Sequence, residues 1–137
     1  MKDKITKSMH YIVPGQPVAW MRTGVNRNRF YDRQKKDKND YGLLLQAQHQ
    51  DKTLFKGALE MVVTFYMPIA SSFSKKNRAN IEGAWHKFRP DLDNALKFLL
   101  DACTGILFDD DCCLVSVIAK KMYSCNPRTE FSIQVVE

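Results

Sequence analysis

The chain has 137 residues, 45% of them apolar and 26% charged, which is enough apolar material for a core and excludes a disordered coil. No run approaches the ~20 apolar residues of a membrane span, and the apolar stretch at residues 9–13 is too short for a signal-peptide core. The expectation is a single domain over residues 1–137 that stays in the cytoplasm. The net charge of +6 resides in residues 1–40, with ten basic and four acidic side chains, whereas residues 41–137 hold eleven of each.

In chain order, Met-His-Tyr-Ile-Val at 9–13, closed by Pro14-Gly15, predicts a first strand. Residues 16–38 are basic and turn-rich and read as a loop with Trp20, Phe30 and Tyr31 interleaved. A helix is expected from about 33 to 51, with Tyr41, Leu44, Leu45 and Gln48 on one face and Gly42 weakening it. Residues 58–68, β-branched and aromatic with a closing proline, carry the strongest strand signal. Residues 69–88 show no clean period and read as a mobile loop with at most a helical turn. The segment 91–103 is strongly helical, with Leu92, Ala95, Leu96, Leu99 and Ala102 as its apolar face and Gly105 as its stop. Strands are expected at 112–123 and 130–136, joined as a hairpin through Asn126-Pro127-Arg128. The order β-α-β-α-β-β predicts an α+β fold, a mixed sheet with helices packed on it.

Cys103, Cys112, Cys113 and Cys125 lack C-x2-C spacing, and His10, His49 and His86 are scattered. Four reduced thiols and no zinc site are expected. Charge is more informative. Residues 71–90 hold five basic side chains and one acidic, while 91–111 hold six Asp and the single Lys97. A polyanionic partner on the basic segments, with cations on the acidic cluster, explains both.

Asp91 and Asp93 stand at a helix start, where Asp is a good cap and suits the positive end of the helix dipole. One Asp satisfies that role; the second adds repulsion that a cap does not need, and cap and function both remain open on position alone. Lys97 lies four residues after Asp93, on the same helix face. The run Asp109-Asp110-Asp111 before a strand is a second costly cluster, otherwise a solvated turn. If the sheet order returns Asp111 to Asp91 and Asp93, these carboxylates form an oxygen-only set suited to Mg2+ or Mn2+. Such ions activate water and stabilise a leaving oxygen in phosphodiester hydrolysis. Ala95 breaks an EF-hand spacing.

The string Arg89-Pro90-Asp91-Leu92-Asp93-Asn94-x-x-Lys97, then Leu100-Asp101-Ala102, Gly105 and Asp110-Asp111 ahead of a Val-rich strand, resembles the RusA family of Holliday junction resolvases. The resemblance is densest over residues 87–121 and extends loosely over the whole chain. It implies a homodimeric, Mg2+-dependent endonuclease, with Mn2+ able to substitute, of a kind common in bacteria and their prophages, acting in recombination and repair. By position it implies Asp91, Asp93 and Asp111 as catalytic metal ligands, Asp110 as an accessory acid and Lys97 as the catalytic lysine. Cys112-Cys113 and the longer 69–88 loop depart from the family pattern, and the loop leaves substrate preference open.

Arg22, Arg27, Arg29 and Arg33, followed by Lys35, Lys36 and Lys38, form a basic run fit for phosphate contact, or else a solvated loop. Lys75, Lys76 and Arg78 form a second candidate contact, and Arg89 a third. The aromatics of the first run either anchor it or stack on unpaired bases at a branch point. A four-way junction has approximate two-fold symmetry, so a C2 dimer with one active site per subunit is the simplest resolvase. Two other readings stand beside it: a non-catalytic basic DNA-binding protein, and a metal-dependent nuclease for other branched DNA such as flaps or forks.

Overall fold

Alternation builds the sheet. The computed structural model describes residues 8–136, and in strand β4 (Ala58–Met67; the labels follow chain order) every second side chain, from Leu59 through Met61, Val63 and Phe65 to Met67, is buried. Strands β1 (Ser8–Pro14) and β6 (Arg128–Val136) follow the same rule with Tyr11, Val13, Thr129, Phe131 and Ile133. Between β1 and β4 come a short hairpin, β2 (Gly24–Asn26) with β3 (Arg29–Tyr31), and helix α1 (Lys35–Gln48). After β4 come α2 (Lys75–Ile81), α3 (Leu92–Cys103) and β5 (Leu114–Tyr123). The result is the expected α+β fold. No helix among the described residues is long and apolar enough to cross a membrane.

The four-stranded sheet has the order β1-β6-β4-β5, with β5 parallel to β4 and the other neighbours antiparallel. The hairpin expected between the last two strands is therefore not formed. Strand β6 inserts between β1 and β4, where both its edges are paired, and β5 takes the outer edge. Burial explains the exchange: Phe131 and Ile133 of β6 enter the core, while Val115 and Ile118 of β5 stay 64% and 49% exposed. The segment 16–38 also differs from a plain loop. Arg27 and Asn28 both take positive φ (47° and 66°), the left-handed pair that joins two strands in a tight turn.

Helix α3 buries Ala95, Phe98, Leu99, Ala102 and Cys103, an i, i+3, i+4, i+7, i+8 stripe. The expected face is turned by one position: Leu92 and Leu96 are only partly buried, and the Phe98 ring packs edge-on against Tyr41 of α1 at 5.1 Å. In α1 the buried residues are Tyr41, Gly42 and Leu45, while Leu44 points outward at 37% exposure. A side chain at Gly42 would meet Ile106 Cδ1 at 3.2 Å, so glycine permits the close approach there. The Gln48 amide pins the end of α1 to β1 by accepting from Ile12 N (2.9 Å) and donating to Ile12 O (2.7 Å).

The expected loop at 69–88 contains α2, capped by Ser74 Oγ accepting from Asn77 N at 3.2 Å. Beyond it, residues 83–86 form a strap along the outer edge of β5. Gly83 N donates to Tyr123 O (2.9 Å), Tyr123 N to Ala84 O (2.9 Å) and His86 N to Lys121 O (3.0 Å). The His86 ring lies 4.7 Å from the Tyr123 ring, and its buried Nδ1 has no hydrogen-bond partner among the described residues. Burial, then the charge of Lys121, holds the imidazole below its usual pKa.

Two outcomes are expected. Phe98→Ala costs about 3–5 kcal/mol in urea unfolding, and Phe98→Leu costs clearly less; equal, small losses contradict the packing described. Because His86 binds its proton more weakly folded than unfolded, it leaves stability intact above roughly pH 6.5 and lowers it as the pH falls further. Thermal melts at pH 7.5 and 5.5 should show a smaller acid-induced drop in His86→Gln than in wild type.

Candidate active site

Helix α3 begins behind Arg89–Pro90, a cis peptide. Lys121 of β5 fixes this approach, its Nζ donating to Phe88 O (2.6 Å) and Pro90 O (2.7 Å). Asp91 occupies the N-cap in extended conformation, yet its side chain makes no capping hydrogen bond. Asp93 follows in the first turn, and both carboxylates are exposed. The helix dipole favours negative charge here, but the cap explanation does not use up the Asp91 oxygens. One turn on, Lys97 Nζ sits 3.7 Å from the centre of the Trp20 ring.

The second acidic group has a different local origin. Asp110 caps a 3-10 turn at Asp111–Cys113, its Oδ1 accepting from Cys112 N (3.3 Å), while Cys113 Sγ donates to Asp110 O (2.9 Å). Asp111 is held above the ordinary carboxylate range, first by a hydrogen bond with Asp110, then by partial burial and the charges of Asp110 and Asp101. Asp101 lies in the last turn of α3.

These contacts put the two groups at opposite ends of one helix. Twelve residues of α-helix span about 18 Å. Along the sheet, Asp111 precedes the start of β5, whereas Lys121, which grips the approach to Asp91, lies roughly 23 Å of strand beyond Leu114. A parallel crossover dictates this arrangement, since the helix between β4 and β5 runs back against both strands. Among the described residues no group of three or more His, Cys, Asp or Glu side chains is placed to hold a metal ion. The donor chemistry at the start of α3 nonetheless suits a hard cation. Mg2+ is commonly held by one or two carboxylates, its other positions going to water and phosphate, and Asp91 with Asp93 supplies such a pair.

The basic candidates divide. Arg22, Arg27, Arg29, Arg33, Lys75, Lys76 and Arg89 are exposed. Arg78 instead donates to Phe73 O (3.3 Å) and Ala70 O (3.1 Å), bracing the entry to α2. Lys36 and Lys38 pair with Asp40 and Asp32, both at 2.9 Å, which reduces the free charge of the first run. Of its aromatics, Phe30 is 78% exposed on the hairpin, Tyr31 lies over Gly24, and Trp20 packs against the core and Lys97. Sequence reasoning passed over Trp85 and Phe88, 66% and 61% exposed on the strap region next to Asp91. The alternation Trp85-His86-Lys87-Phe88-Arg89 was the available signal. It passed over Lys121 as well, whose role depends on a contact across 31 residues.

Comparison with known proteins bears on this arrangement. The family model described as Endodeoxyribonuclease RusA matches residues 14–134. The chain is also 31% identical over 129 residues to the uncharacterized protein YqaN of Bacillus subtilis (strain 168), covering 91% of this chain and 90% of that protein.

Proposed function

The chain belongs to the RusA family of endodeoxyribonucleases, Holliday junction resolvases, and on that premise we propose an Mg2+-dependent homodimer whose active centres each draw carboxylates from both subunits. The separation of Asp91 and Asp93 from Asp110 and Asp111 by the length of α3 carries this reading. A second copy can supply the missing half. Among the described residues the strap covers the outer edge of β5 only at Lys121–Tyr123, and Val115 and Ile118 lie exposed on the remainder of the strand. Two such edges meeting antiparallel about a two-fold axis bring the start of one β5, with Asp111, toward the end of the other, with Asp91.

Asp91 and Asp93 of one chain, with Asp111 and the accessory Asp110 of the other, would hold Mg2+, or Mn2+ in its place. When bound, the ion polarises the scissile phosphate and makes its water a nucleophile at neutral pH. The Lys97 ammonium, on the same helix face as Asp93, faces the charge that builds on the phosphate oxygens. Arg22, Arg27, Arg29, Arg33, Lys75, Lys76 and Arg89 hold the flanking backbone, a sequence-independent attraction weakened by salt. Two centres related by two-fold symmetry suit paired cuts across a four-way junction in recombination and repair, in the cytoplasm.

Asp93→Asn should slow cleavage of a synthetic junction in Mg2+ by about a hundredfold or more while binding in Ca2+ is retained or tightened; cleavage at the wild-type rate would remove Asp93 from the site. EDTA should stop the wild-type reaction, and Mn2+ should restore it. Mixed dimers distinguish the shared centre from a one-chain centre. Asp91→Asn/Asp93→Asn chains co-assembled with Asp111→Asn chains form one intact shared centre per dimer and should nick junctions, although each variant alone is inactive. A mixture as inactive as its parents rules out sharing.

A further inference from the structure

Lysine carries a long, freely rotating stem, and fixing it in one place needs a partner. Four residues from Asp93, Lys97 has the spacing for an ion pair along the helix, yet its interaction among the described residues is with an aromatic ring, Trp20. At 3.7 Å from the ring centre the ammonium is well inside cation–π range, and indole is the strongest such acceptor among side chains. The Asp93 carboxylate is thereby left free of its helical neighbour. Trp20 is itself held on both sides. Its backbone N–H donates to Asn94 O (2.9 Å), inside the first turn of α3. The Gln34 amide brackets it, Nε2 donating to Ala19 O (2.7 Å) and Oε1 accepting from Met21 N (2.8 Å). Gln34 is 2% exposed, so both ends of a buried amide are satisfied by the residues flanking the indole.

We propose that Trp20 is a positioning residue: its ring stations the Lys97 ammonium away from Asp93 and toward the substrate phosphate, and Gln34 stations the ring. The proposal rests on the reading of Lys97 as a participant in phosphodiester cleavage. It also gives the basic segment a second role, since the chain that carries Arg22 is tied through Trp20 to the first turn of α3.

Single-turnover cleavage of a synthetic four-way junction in Mg2+ tests it with wild type, Trp20→Phe, Trp20→Leu, Lys97→Met and the Trp20→Leu/Lys97→Met double variant. Trp20→Leu should cleave about tenfold more slowly and Trp20→Phe, which keeps a ring, at an intermediate rate, with junction affinity in Ca2+ unchanged in both. In the Lys97→Met background the Trp20 change should slow cleavage no further. In protein with 13C-labelled lysine, the Lys97 Cε protons should lie upfield under the indole ring current, return to ordinary positions in Trp20→Leu, and be intermediate in Trp20→Phe. Should Trp20→Leu fail to fold, the rate and proton shift of Trp20→Phe decide. A Trp20→Leu enzyme as fast as wild type, or a Trp20 effect as large without Lys97 as with it, overturns the positioning role while leaving Lys97 in place. Wild-type cleavage by Lys97→Met overturns the reading beneath it and the positioning role with it.

Discussion

A helix that joins two parallel strands must run back against them, so the residues entering it and those leaving it stand at opposite ends of the sheet. The β4–α3–β5 crossover imposes this on the acidic residues: Asp91 and Asp93 precede or open α3, and Asp110 and Asp111 follow it. No rotamer change moves a carboxylate the length of a three-turn helix. The local chemistry at each end is favourable for its own reasons. Carboxylates at the first turn complement the helix dipole, and Asp110 caps a turn that aims the chain into β5. Fold and charge agree at both ends and keep the two acidic groups apart within one chain, the separation on which the proposed two-chain site rests.

The same helix sets how firmly the site is held. Its buried stripe of Ala95, Phe98, Leu99, Ala102 and Cys103 packs into the core shared with α1 and the sheet. Its entry is fixed from the sheet by Lys121, and its first turn is tied to residue 20 by a backbone hydrogen bond. Groups that act on a phosphate need placement within fractions of an ångström. The residues proposed for that task, Asp91, Asp93 and Lys97, stand at the start of a helix packed into the core, while Arg27 and Arg29 lie on the hairpin.

Much of this was legible in the chain. The period-two burial of β4, the apolar stripe of α3 and the Asp91-Asp93-Lys97 spacing are local patterns, and local patterns are what a sequence displays directly. Facts that depend on distant residues were not legible. The insertion of β6 between β1 and β4 is decided by which strand has more apolar surface to bury, a competition no single segment reveals. Leu44 reads as a core residue until the packing of Tyr41 against Phe98 sets the rotation of α1. That the Arg78 guanidinium also braces two carbonyls of its own loop is a contact that a count of basic residues does not display. The distance from Asp91 to Asp111 turns on strand order, which spacing along the chain does not encode.

The division of the acidic residues along α3 bears on how a cell tolerates such a protein. Under the two-chain arrangement, a newly translated copy carries two half-complements and no whole one, so it emerges from the ribosome chemically inert. At low abundance, cutting capacity then rises with the square of copy number, a built-in threshold that shields the genome from stray molecules without any inhibitor.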